Sequence, residues 1–208
     1  VHLLTILRDG ETIQYDNELS NYCLSIEGVT LESGMGANLK AGLNAVVKNL
    51  PLVVTKYTTA GLRKAFKERL EQVKPDIVHL DLLPLGGLLD LVPKGVSVVL
   101  NEHNIETDLI EQKLETLSSL AGKIIYKREF KKLKSFEAGT CKGVNAVLAC
   151  SDDDKQGIES IGGVNVHCIP NGVNTSELMP DHSKIDMDKL AFIGGMGWYP
   201  NKLGIEWF

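Results

Sequence analysis

The feature that most limits what this chain can fold into is an alternation. Short apolar runs of strand length are separated by stretches with helical periodicity along most of the sequence. Parallel strands need long crossover connections, and helices supply them. Strand-like runs are read at Val1–Leu7, Leu24–Leu31, Asp76–Leu82, Val96–Glu102, Val144–Cys150 and Asn165–Ile169, with a short candidate at Leu52–Tyr57 and a last run at Leu190–Ile193. The run Val96-Ser-Val-Val-Leu is nearly continuous in apolar character, as expected for a strand covered on both faces. Between the runs, Leu39, Leu43, Val46 and Val47 share one helical face, and so do Leu62, Phe66 and Leu70. Ile105–Leu117 and Ala121–Ala138 are helical as well, and Ser151 with Asp154 reads as a capping box. The expected fold class is α/β: a Rossmann-like parallel sheet with helices on both faces.

Composition narrows the function classes. A net charge of −5 argues against a general nucleic-acid binder, and no apolar run approaches the ~20 residues a membrane span needs. The four cysteines, Cys23, Cys141, Cys150 and Cys168, show no Cys-x-x-Cys spacing, so free thiols in a reducing compartment are expected. Val1 opens directly on a strand, without an initiator Met or a signal-peptide start, so the amino-terminal end is expected to be cut. Residues 1–175 read as one Rossmann-like domain, 176–187 as a linker and 188–208 as the start of a second domain. The last stretch combines a strand, the glycines Gly194, Gly195 and Gly197, and the first turns of a helix.

The candidate chemistry sits where strands end. Glu102-His103-Asn104 follows a buried strand directly, and ligands of open α/β sheets bind beyond the carboxyl ends of strands. A His103 imidazole there could hold a ligand by hydrogen bonding, or cap the next helix. Asn104 reads as the cap of the helix after it, with a substrate contact as the other reading. Gly194 and Gly195 allow close backbone approach to a phosphate, and Lys202 adds a charge nearby. Asn171-Gly172 reads as a tight turn at the exit of the first domain, Ser151 as a helix cap and His79 as a satisfied core histidine. Lys123–Lys134 carries six basic residues and one acid, with Tyr126, Phe130 and Leu133 on one face: a solvated surface helix, or a contact with an anionic membrane. Gly34-Met-Gly36 lacks dinucleotide-binding spacing, and P-loop, His-Glu-x-x-His and Gly-x-Ser-x-Gly motifs are absent.

Several segments, in order, carry a resemblance. Asp76-Ile-Val-His-Leu-Asp81, Asn101-Glu-His-Asn-Ile-Glu106, Glu137 ahead of Ala146-Val-Leu-Ala-Cys-Ser151, Ile169-Pro-Asn-Gly-Val-Asn174 and Phe192-Ile-Gly-Gly-Met196 followed by Pro200-Asn201 together resemble glycosyltransferase family 4. Its members have the two-domain GT-B fold. The resemblance implies a first strand and glycine-rich loop ahead of Val1, and a pair of glutamates around the donor sugar beyond Phe208. It places His103 at the donor sugar, with Glu102, Asn104, Asn171 and Gly172 as substrate contacts. Gly194, Gly195, Asn201 and Lys202 are then assigned to the donor diphosphate. This sequence departs from the family pattern there: Gly195 stands at the usual Arg position, and Asn201, next to Lys202, at the usual Lys position.

The implied activity is retaining transfer of a sugar, of hexosyltransferase type, from a nucleotide-sugar to a saccharide or lipid-linked acceptor in cell-envelope or polysaccharide synthesis. No metal or cofactor is called for, the nucleotide-sugar being a co-substrate. The expected location is cytoplasmic, with peripheral contact at the inner membrane face through residues 123–134. As a fragment, the chain is expected to be inactive alone. A saccharide-binding module without chemistry and a nucleotide-sugar epimerase of the same fold are the alternatives.

Overall fold

The computed structural model describes residues 1–13, 16–181, 186–197 and 199–208. The chain consists of two compact units, Val1–Asn171 and Gly172–Phe208.

The larger unit is α/β, with parallel sheets and helices between strands. Its strands are β1 (His2–Leu7), β2 (Ser25–Thr30), β3 (Ile77–Asp81), β4 (Ser97–Glu102), β5 (Ala146–Ala149) and β6 (Val166–Cys168). β1 and β2 pair in parallel with His2 opposite Ser25. The other four form one parallel sheet in sequence order, with Ile77 opposite Ser97, Val99 opposite Ala146 and Val147 opposite Val166. The helices are α1 (Asp16–Leu19), α2 (Met35–Val47), α3 (Leu52–Tyr57), α4 (Ala60–Val73), α5 (Glu106–Thr116), α6 (Leu120–Gly143) and α7 (Asp152–Ser160), with a 3-10 segment over Leu83–Leu91. In the smaller unit, α8 covers Tyr199–Trp207.

The helix boundaries have local causes. The Thr59 hydroxyl accepts the Leu62 N–H at 3.2 Å and starts α4. Lys74 ends it with φ 48, returning its N–H to the Leu70 carbonyl just ahead of Pro75. Ser151 starts α7 by accepting the Asp154 N–H at 3.0 Å, as its spacing predicts. The core lies between the four-stranded sheet and its crossovers, where Leu80, Leu83, Leu100, Leu133, Val147 and Ile158 are buried.

Four expectations need correction. Leu52–Tyr57 is a helix, not a strand: Pro51 sits at its N-cap, and the Thr55 and Thr58 hydroxyls donate to the Leu52 and Val54 carbonyls. Leu190–Ile193 is irregular rather than extended in a sheet. His79 is exposed, because β3 buries only Val78 and Leu80 and turns its other side chains outward. The continuous apolar run of β4 is likewise buried only at alternate residues, Val98, Leu100 and Glu102, with the others half-buried.

The free edges of β1 and β3 both line a groove of about 1740 Å³, with Phe66 and Arg69 of α4 also in its wall. Arg69 reaches Glu27 of β2. Close packing elsewhere sets a test. A Cβ on Gly86 would stand 2.6 Å from the Thr140 side chain and 3.4 Å from Phe136. Gly86→Ala is expected to destabilise by about 1–3 kcal/mol in chemical denaturation, through overpacking between the 3-10 segment and α6.

Candidate active site

β3 and β4 end side by side, with Asp81 opposite Asn101 in register. Residues one apart on a strand face opposite ways, so Asp81 and Asn101 turn outward while Leu80, Leu100 and Glu102 turn into the core. His103, one step past β4, joins the outward group: its Nε2 lies 2.9 Å from Asp81 Oδ1. Asn101 Nδ2 donates to the same oxygen at 2.8 Å and lies 3.1 Å from His103 Nε2. The carboxylate fixes the tautomer. With Nε2 facing the carboxylate, a proton on that nitrogen donates to Asp81 and Nδ1 is turned away from this contact.

Partial burial would lift the Asp81 carboxyl, but hydrogen bonds from His103 and Asn101 outweigh it and hold the group below the usual carboxylate value. The chain turns sharply after Asp81. Leu82 adopts φ 110, a strained conformation for a branched side chain, and its N–H donates to the Asn101 carbonyl at 3.1 Å.

Behind this outward group lies a buried acidic layer. Glu137 of α6 accepts the Glu106 N–H at 2.7 Å, the Thr107 N–H at 3.2 Å and the Thr107 hydroxyl. Those two amides begin α5, so Glu137 does the capping expected of Asn104. Asn104 is exposed, and Ile105 takes the N-cap position without a side-chain bond. Burial raises the Glu137 carboxyl, against the hydrogen bonds from Thr107 and the Glu106 and Thr107 amides that lower it. Glu102 is only 1 % exposed. Burial, then the neighbouring Glu137 and Glu106, push its carboxyl up to about 9, so it is neutral at pH 7. It lies 4.0 Å from the Cys141 sulfur, whose thiol burial and the two glutamates push up to about 12. Glu102 is therefore a buried acid below the site, not an open substrate contact.

The remaining candidates fall elsewhere. Asn171 Oδ1 lies 3.9 Å from the Cys150 sulfur at the end of the larger unit, and Gly172 opens the smaller one. In the smaller unit Asn201 donates its amide to the Gly195 carbonyl at 3.1 Å, and a Cβ on Gly194 would meet that amide at 2.7 Å. Gly194 thus lets Asn201 brace the glycine turn, while Gly195 has open space where a side chain would go. Lys202 pairs with Glu206 at 3.7 Å along α8. Among the described residues, no group of three or more His, Cys, Asp or Glu side chains could hold a metal ion, and no helix is long and apolar enough to cross a membrane.

Residues 28–177 match the family model described as Glycosyltransferase Family 4. The chain belongs to glycosyltransferase family 4. The match takes in β3 through β6, and with them Asp81, Asn101, His103 and Glu137. A comparison with curated proteins gave no match. Membership makes this a glycosyltransferase domain, a class that draws on nucleotide-sugar donors. Sequence reading of the family 4 segments picked out His103 but not its partners. Asp81 and Asn101 were each quoted within a segment; their meeting depends on strand register.

Proposed function

We propose that the domain serves retaining transfer of a sugar from a nucleotide-sugar to a saccharide or lipid-linked acceptor, with His103 at the sugar. The observation that carries this is the 2.9 Å contact between His103 and Asp81 at adjoining strand ends of a family 4 domain. In such a reaction the bond from the anomeric carbon to the diphosphate breaks. A bond to the acceptor oxygen forms, and the acceptor proton leaves with the departing phosphate. The sugar gains positive charge at the transition state. A site with a fixed imidazole dipole, backed by an ionised carboxylate, lowers that barrier without a nucleophile. His103 Nδ1 accepts a sugar hydroxyl, and Asp81 holds the ring in that tautomer. Within the smaller unit, the amides around Gly194 and Gly195 are the proposed phosphate contacts, with Asn201 as the brace of that turn and Lys202 beside it.

The test is steady-state transfer by the full gene product. His103→Ala is expected to lower kcat/KM by about 10²–10⁴. Asp81→Asn is expected to cost roughly ten-fold with the thermal midpoint nearly unchanged, since it loosens the ring without removing it. Near-normal turnover by His103→Ala would remove His103 from the site.

A further inference from the structure

A cavity of about 500 Å³ opens between α2, α3 and the start of α4. Four cations line it, Lys40, Lys48, Lys56 and Arg63, against the one carboxylate of Glu32. In a chain of net charge −5 this is a local reversal of sign. Glu32 pairs with Lys40 at 3.5 Å, and Arg63 is held by Asp90 at 2.5 Å and by the Gly87 carbonyl at 2.6 Å. Lys48 and Lys56 have no ion pair among the described residues.

The backbone adds to this field. α2 and α4 both bring their starts to the cavity, the first through Ala37 and Asn38, the second through Thr59 and Ala60. Neither helix has an acidic residue in its first turn, so two positive helix ends are left uncompensated. The first amides of a helix also have no partner within it, and they suit an anion. Gathered cations repel one another, and an anion between them relieves that cost.

The lining selects among anions. Among the described residues it has no aromatic side chain on which a nucleobase could stack. It has instead the hydroxyls of Thr58 and Thr59 and the amides of Asn38 and Asn44, groups that hydrogen-bond sugar hydroxyls. Ala41 and Thr55 are its buried, small residues, which leaves room above them. The volume falls within the range of about 300–1,000 Å³ usual for small-molecule sites. Glu32, Asn38 and Lys56 also border the groove that reaches Asp81, so the cavity adjoins the surface on which Asp81 meets His103.

We propose that this cavity is the subsite for an acidic group, a phosphate or a carboxylate, carried by the acceptor saccharide, so that the acceptor is an anionic sugar. Lys48 and Lys56 meet the acid, and the asparagines and threonines hold the hydroxyls beside it. That the sugar is the acceptor rests on the transfer reading above; that the cavity binds an acidic sugar does not.

The experiment is titration of the isotope-labelled chain with glucuronate, glucose 6-phosphate, glucose and inorganic phosphate, followed by the amide resonances of Ala60 and Gly61. At least one of the two acidic sugars is expected to bind about ten-fold more tightly than both glucose and inorganic phosphate. Lys48→Gln with Lys56→Gln should weaken that binding about ten-fold. Both lysines are exposed, so circular dichroism should show this variant folded. His103→Ala should bind the acidic sugar as the unaltered chain does. Equal binding of glucose and the acidic sugars, or binding of none, would overturn the proposal. So would a lysine variant that binds normally, or loss of binding in His103→Ala, which would move the acid to the Asp81–His103 contact. Inorganic phosphate binding as tightly as the sugars would also overturn it and make the cavity a site for a free anion. Near-normal transfer by His103→Ala, by contrast, would sink the transfer reading and leave this binding result standing.

Discussion

Glu102→Gln is expected to raise the thermal midpoint at pH 8 and to leave it nearly unchanged at pH 4.5. The cause is a proton held by the fold. Burial, with Glu137 and Glu106 adding repulsion, pushes the Glu102 carboxyl from an ordinary 4.5 to about 9. Below pH 4.5 the group is protonated in both folded and unfolded chains, so it contributes no difference. As pH rises from there toward about 9, the unfolded chain gives up this proton while the folded chain keeps it. The folded state then binds more protons, and stability falls with rising pH at up to about 1.4 kcal/mol per unit. Above the folded value both states are ionised and the penalty levels off. Glutamine has nearly the same shape and never ionises, so the variant should lack the slope. Water entry and local relaxation reduce the ideal effect. A gain on the order of 3 kcal/mol at pH 8 corresponds to roughly 6–12 °C for a chain of this size. Thermal melts of both proteins at pH 4.5, 6 and 8 measure it. Parallel midpoints across that range would show that Glu102 is ionised in the fold.

Most of the larger unit was legible because its strands and crossovers differ in hydrophobic period. All six paired strands lie within predicted runs, trimmed at the ends. Reading failed where composition and context pull apart. Val53, Val54 and Thr55 are β-branched and suggest a strand, yet Pro51 and two backbonding threonines set a helix, with Val54 buried against the 3-10 segment. The periodicity of Leu39, Leu43, Val46 and Val47 gave the helix correctly, but periodicity cannot say which face is covered. At the site, His103 stood out as a polar residue after an apolar run. Asp81 is more than twenty positions away, and only the register of β3 against β4 brings it to His103. Glu102 and His103 are neighbours in sequence, but the strand's alternation sends one into the core and the other outward. Asn104 satisfied the composition rule for a cap, but Glu137 from α6 had already taken both amides.

That long-range cap gives the second large effect. Glu137→Ala removes a buried carboxylate that accepts two helix-starting amides and the Thr107 hydroxyl. Three donors lose this partner. An unsatisfied buried donor costs about 1–3 kcal/mol, and loss of a cap alone about 1 kcal/mol. Glu102 is protonated at pH 7, so loss of the Glu137 charge returns little of this there. The net expectation is a loss of about 3–4 kcal/mol in urea denaturation at pH 7. Glu137→Gln keeps one acceptor oxygen and should cost less than half as much. The damage should also reach the site, since α5 starts three residues after His103 and Glu137 is what ties that start to α6. Amide exchange at Glu106 and Thr107 should accelerate well beyond the global loss in Glu137→Ala. If exchange there rises only as much as in the core of β4, the cap is held by other contacts and Glu137 is not the anchor of the His103 loop. The double variant Glu102→Gln, Glu137→Ala separates the two contributions. At pH 7 its stability should match the summed single effects, because Glu102 is already protonated there and no repulsion between two carboxylates is left to remove.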